Sequence, residues 1–235
     1  MPRKQQYLAG LRAGFPVVLG YVPVGIAYAI MARQAGLSVF ETVFMSASVF
    51  AGASQMMAAG MFAQGAGIAA IIVATFILNL RHVIMSACVF GRMKNAKLKT
   101  RLLAAFGVTD ESFAVFTTES GDHLNAPFFL GLITATYSSW VGGSAVGAVA
   151  ALFLPEILSA SLGIALYAMF LGLLTPGVKR SARLVLLVAL TAAVNSLLSL
   201  FIASSWALIL STLICAGAGV FFADPDAKAG ESNEA

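Results

Sequence analysis

Charge is what this chain has little of. Only 10% of its 235 residues are Asp, Glu, Lys or Arg, against about 25% in a soluble domain. Hydrophobic residues make up 60%, and the mean hydropathy is +0.91. In water such a chain would expose far too much apolar surface, so its solvent is lipid. Cysteine is scarce too: Cys88 and Cys215 both sit in apolar runs without a C-x-x-C. That excludes a disulfide framework and leaves two small packing residues. Two histidines, His82 and His123, are too few for a metalloenzyme, and no cofactor is expected. H-E-x-x-H, G-x-S-x-G and the phosphate loop are all missing, so an enzyme is not expected. The net charge of +4 comes without a basic stripe interleaved with aromatics, which argues against a nucleic-acid partner.

What remains is a series of apolar stretches. Eight are visible: 15–32, 39–62, 66–91, 102–118, 127–154, 157–177, 183–203 and 205–223. A crossing helix needs ~20 mostly apolar residues. The expected fold is therefore all-α, a polytopic membrane helix bundle of seven to eight segments, some broken or re-entrant. One transmembrane domain spans 1–223, and the polar tail 224–235 reads as disordered. The apolar run after Arg3, Lys4 and Arg12 has no small-x-small cleavage site, so it reads as a first membrane helix.

Basic residues set orientation. Arg92, Lys94, Lys97, Lys99 and Arg101 form an acid-free loop that should be cytoplasmic, as should the N-terminal arm and Lys179-Arg180-Arg183. Straight crossings would place these clusters on alternating sides. Two solutions are open. Either one stretch in each set of three enters and leaves by the same face, lining a protein cavity, or three-plus-three inverted repeats leave some basic residues outside.

Polar residues inside apolar runs are the candidate site. Asn79, Arg81 and His82 interrupt "FILNLRHVIMSACVF". An arginine at mid-bilayer costs ~2.5–3.5 kcal/mol and needs an acid or a wet cavity. The matching anomaly is "FGVTDESFA", with Thr109, Asp110 and Glu111. Arg81 is expected within reach of Asp110 or Glu111, either as a working site or as a pair that fixes helix register. A further reading puts both segments in loops between short helices. In "ASVFAGASQMMAAG", Gly52, Ser54 and Gln55 suggest either a packing face or a broken helix with a half-helix N-terminus beside a ligand. Pro23 removes a backbone donor from the first helix and reads as a static kink or a hinge. Gly143 and Gly147 form a G-x-x-x-G packing face.

The segments "YVPVGIAYA", "FAGASQ", "LRHVIMSA", "FGVTDESFA" and "SSWVGGSAVGA" follow one another in the order found in the AzlC family. This chain resembles that family from about Gly14 to the last helix. The resemblance implies a large subunit of a two-component exporter of valine, leucine, isoleucine and related residues. It also implies a small hydrophobic AzlD-like partner subunit.

Such a substrate is a zwitterion with an apolar side chain. Its carboxylate suits Arg81 or the backbone near Gly52–Ser54, with Gln55, Asn79 and Thr109 as polar neighbours. Its ammonium suits Asp110 or Glu111. Burial favours the neutral form of a carboxylate, which lets it carry a coupling proton. Asp110 is the first candidate for that role, His82 the next, with Glu111 left for substrate binding or as an alternative anchor for Arg81. The rival classes are a passive channel or facilitator for small zwitterions and a non-transporting membrane scaffold.

Overall fold

The computed structural model describes residues 1–93, 96–119, 125–153 and 182–222. Among these residues every regular element is a helix and none is a strand. The chain divides into two compact units, Met1–Tyr167 and Ala168–Ala235.

In the first unit, α1 (Arg3–Ala13) leads almost directly into α2 (Phe15–Gln34). Then come α3 (Val39–Ser48), α4 (Gly52–Ala63), α5 (Ile68–Arg92), α6 (Leu98–Gly107), α7 (Asp110–Thr118) and α8 (Ala126–Ala150). Two of them, α2 and α5, have both the length and the hydropathy to cross a bilayer. The apolar stretches 39–62 and 102–118 are each broken into two short helices, as the sequence allowed. Helices of nine to twelve residues reach only about half of the ~30 Å hydrocarbon core at 1.5 Å per residue.

Contacts along the chain give the path. Along α1–α2 and α8 the paired residue numbers rise together. Gly10 lies against Phe128, Gly14 against Leu132 and Ala135, Val22 against Gly143 and Ile26 against Gly147. These helices run parallel. A Cβ on Gly131, Gly143 or Gly147 would fall 2.0, 2.7 or 2.5 Å from a carbonyl oxygen of α1 or α2. Small residues therefore set this close approach, as the G-x-x-x-G pattern implied. Helix α5 runs the other way. Its end, Met85, Val89 and Met93, packs with Phe128, Phe129 and Phe116 at the end of the bundle where α8 begins.

Consequently α3 and α4 enter and leave by one face. Down α3, Thr42 meets Tyr28, Ser46 meets Ser144 and Ala47 meets Tyr137. Phe50 then reaches Tyr21. Helix α4 turns back, so that Gln55 regains the level of Ser46. Gly36 (φ 96°) and Gly65 (φ 72°) end α2 and α4 in left-handed turns that a side chain would strain. Helices α6 and α7 form the opposite hairpin. Arg101 lies over the Phe90 ring, Phe106 packs edge-on against Tyr137, and the returning Phe116 packs against Phe128 and Phe129. Arg92 donates to the carbonyls of Phe116 (2.8 Å) and Thr117 (3.1 Å), closing the C-terminus of α7.

A crossing helix followed by a re-entrant hairpin thus occurs twice, in opposite senses, as inverted repeats. The N-terminal arm and the loop before α6 share one end of the bundle, and the two solutions the basic clusters left open are combined: each repeat carries a segment that enters and leaves by one face, and the two repeats are inverted. Lys179 and Arg180 lie outside the described residues, as do the apolar stretch 157–177 and the tail 224–235. In the second unit, α9 (Ala182–Leu198) and α10 (Ser204–Phe222) form an antiparallel pair, with Gly219 on Leu187 and Ser211 beside Asn195.

Candidate functional site

The two hairpin tips meet in the middle of the first unit. Phe50 from one and Phe106 from the other lie 6.4 Å apart between ring centroids, and both pack edge-on against Tyr137. Beside this contact begin the second halves of both hairpins. Two helix N-termini, carrying the positive end of the backbone dipole, therefore lie close to mid-bilayer.

They are finished differently. Thr109 caps α7: its hydroxyl accepts from Ser112 N at 3.2 Å, and Ser112 Oγ accepts from Thr109 N at 2.8 Å. Helix α4 starts after Ala51, which has no side chain to offer, and no side-chain cap is present. Ser54 donates to the Ala51 carbonyl (2.9 Å) and accepts from Asn79 Nδ2 (3.1 Å). Gly52 is required here, since a Cβ would lie 2.7 Å from the Trp140 ring.

Arg81 stands in the middle of α5, an unbroken helix, and its Nη1 lies 2.8 Å from Asp110 Oδ2. The expected pairing across two segments is present. Of the two carboxylates the sequence left open, the partner is Asp110. The cap explains the choice. Thr109 fixes Asp110 as the first residue of α7, where its short side chain faces α5. Glu111 follows about 100° around the helix and faces α2, where Tyr21 hydrogen-bonds both its Oε2 and Thr109 Oγ1 (2.8 Å). The reading that placed both polar segments in loops is half met. Thr109 is a cap in a helix break, whereas "NLRH" is helical throughout. His82 is half-buried in the field of Arg81, Asp110 and Glu111.

Gln55 is fully buried, and both ends of its amide are occupied. Trp140 Nε1 donates to its Oε1 (2.9 Å), and its Nε2 reaches Ser46 Oγ at 3.4 Å. Ser46 bonds Ser144 at 2.6 Å. Gln55 thus ties α3, α4 and α8 together beneath Gly52. Two polar atoms at the centre are buried with no hydrogen-bond partner, Asn79 Oδ1 and Arg81 Nε. Each such group costs ~1–3 kcal/mol unless something else satisfies it. Pro23 lies within α2, two residues on from Tyr21, and the helix continues through it.

Tyr21 is the residue the sequence reading passed over. Its signal was a phenol in an apolar helix, since a buried tyrosine hydroxyl needs a partner. It packs on Trp140 (5.4 Å) and Phe50 (6.2 Å) as well.

The AzlC protein family profile matches residues 16–154. This chain belongs to the AzlC family. The matched region ends with α8, short of the last helix, where the resemblance was expected to extend. An uncharacterized membrane protein of Archaeoglobus fulgidus is 36% identical over 76% of this chain and 79% of its own length. The inner membrane protein YgaZ of Escherichia coli is 29% identical over 91% of this chain and 89% of its own length. The branched-chain amino acid transport protein AzlC of Bacillus subtilis is 26% identical over 63% and 61%. No solved structure matches the chain. The AzlC membership, the membrane-protein relatives and the apolar helices make this a multi-pass membrane protein with a role in membrane transport.

Proposed function

We propose that this AzlC-family protein exports branched-chain amino acids of the valine, leucine and isoleucine class, driven by protons. The supporting observation is the charge arrangement between the hairpin tips. A paired Arg81 and Asp110 stand next to a second carboxylate, Glu111, and near the uncapped start of α4. A zwitterion fits these groups. Its carboxylate takes the Gly52–Ser54 end of α4 and the spare Nε of Arg81, in the way half-helix ends hold carboxylates in other transporters. Its ammonium takes Glu111 and the unpartnered Asn79 Oδ1. Thr109 shapes the far wall, and Gln55 supports the α4 end from beneath. Apolar surface for a branched side chain is at hand in Phe50, Phe106 and Trp140.

The name of the B. subtilis relative, a branched-chain amino acid transport protein, points to the same cargo. In this reading the chain works with a small hydrophobic AzlD-like subunit. The end carrying Arg3, Lys4, Arg12, Arg92, Lys97, Lys99 and Arg101 faces the cytoplasm, because basic residues are retained there. The test is uptake of labelled valine into inside-out vesicles with and without a pH gradient. Accumulation that requires the gradient is expected. Gradient-independent equilibration would make the protein a facilitator, and no flux at all would make it a scaffold.

A further inference from the structure

Arg81 and Asp110 neutralise one another, which leaves Glu111 as the one uncompensated charge between the hairpin tips among the described residues. The groups around it are few. Tyr21 comes from α2, Arg81 and His82 from α5, and Asp110 from its own helix. The tyrosine of α8 nearest the tips, Tyr137, spends its hydroxyl on the Ala47 carbonyl at 2.8 Å.

The hydrogen bonds at the two carboxylates differ in what a proton would do to them. A proton on Asp110 removes the anion that compensates Arg81 and leaves a cation alone near mid-bilayer. A proton on Glu111 leaves no charge without its partner and keeps the contact to Tyr21. With Glu111 ionised, Tyr21 donates to Oε2 and accepts from the Thr109 hydroxyl. With Glu111 protonated, its O–H donates to Tyr21, and Tyr21 turns its own proton to Thr109 Oγ1. Both contacts are present in the geometry, Tyr21 lying 2.8 Å from Thr109 Oγ1 and bonded to Glu111 Oε2. The hydroxyl row reverses, which a hydroxyl can do because it both donates and accepts; Tyr21 keeps both contacts, and the Thr109 proton turns out of the row. The proton is the only species gained, and the charge of the site goes from one negative to neutral. A substrate ammonium on the ionised carboxylate neutralises the same group, while the substrate carboxylate is held apart from it at the Gly52–Ser54 end of α4. Proton and ammonium are therefore alternatives at one group, the requirement for exchanging one against the other.

We propose that Glu111, held by Tyr21, is the carboxylate that binds either the coupling proton or the substrate ammonium, and that Tyr21 is its positioning residue. This rests on the proton-driven reading above, and it moves the proton from Asp110, where the sequence placed it, to Glu111.

The test uses the full-length chain in liposomes, with two independent readouts. The first is the infrared absorption of protonated carboxyl groups as pH is lowered, with and without valine. The second is the pH profile of valine transport. Expected in the wild type is a carboxyl signal that valine suppresses. Glu111→Gln should remove that signal and flatten the pH profile of the remaining exchange. Glu111→Asp, which keeps a titratable group but shortens its reach, should restore a signal. Tyr21→Phe should keep the signal, shift its frequency and displace the pH profile; a purely structural tyrosine would lower rates without displacing it. Asp110→Asn and His82→Gln should keep the valine-sensitive signal. The inference is overturned if Glu111→Gln retains the signal, if Asp110→Asn or His82→Gln removes it instead, or if no valine-sensitive signal appears while valine is carried. A wild type that carries no valine yet shows the Glu111-dependent signal would sink the amino-acid reading and leave the proton site standing.

Discussion

Arg81 can sit in the middle of a 25-residue apolar helix because Asp110 is brought to it by a break in another segment. The pair is not sealed, its side chains being 40% and 50% exposed, so its strength lies well below that of a dry ion pair. Arg81→Gln or Asp110→Asn alone should lower stability by about 1–3 kcal/mol, mostly from the charge left without a partner. The double variant should regain most of that loss in a detergent melting experiment. Neither Arg81→Gln nor the double variant should transport valine, because the substrate carboxylate needs the guanidinium. If the double variant stays as unstable as either single, the pair is not what holds α5 to α7. If it transports normally, Arg81 does not touch the substrate. Gln55 belongs to a different class. Gln55→Leu leaves the Trp140 N–H and Ser46 without their partner, and should cost about 1–3 kcal/mol while the KM for valine changes little.

At the scale of elements, small residues and caps fix the architecture. Thr109→Val removes the side-chain acceptor at the start of α7 and should destabilise that helix by ~1 kcal/mol. It should also lower transport by more than its stability effect accounts for, since both carboxylates take their direction from this turn. Gly147→Leu drives a side chain into the Ile26 carbonyl of α2, where an added Cβ already falls at 2.5 Å. Backbone cannot move aside as a side chain can, so a loss of ~1–3 kcal/mol or more is expected, read as a lower melting temperature. A variant as stable as the wild type would mean that α2 and α8 are farther apart than the structure places them.

This is also the scale at which the sequence was most readable. The long apolar runs, Gly143 and Gly147, and polar Thr109-Asp110 inside an apolar stretch all carried local signals. The break after Ser48 was half visible, because Gly52 and Ser54 served a packing face and a helix start equally well. What stayed hidden depended on distance or phase. Tyr21 meets Glu111 at a separation of 90 positions in the chain, which no local pattern reports. Which of two adjacent carboxylates faces Arg81 turns on a 100° rotation that the Thr109 cap sets.

For the molecule as a whole, the inverted pair of hairpins gives both a sidedness and a gate. Lys97 is exposed at the end of the bundle shared with α1. Lys97→Cys, with Cys88 and Cys215 replaced by serine, should be labelled by an impermeant thiol reagent in inside-out vesicles and not in intact cells. The reverse pattern would invert the orientation. The gate follows from the tips. One hairpin enters from each face and stops near mid-bilayer, where Phe50 meets Phe106 against Tyr137. Each hairpin therefore closes the site from its own side, and passage requires the tips to part in turn. Phe50→Cys and Phe106→Cys, combined in the same cysteine-free background and bridged by a short bifunctional thiol reagent, should hold them together. Valine transport should then fall to background and return on reduction, while each single cysteine treated with the same reagent keeps most of its activity. A bridged protein that still transports would show that substrate passes without the hairpins separating, and the route would have to lie along α5 instead.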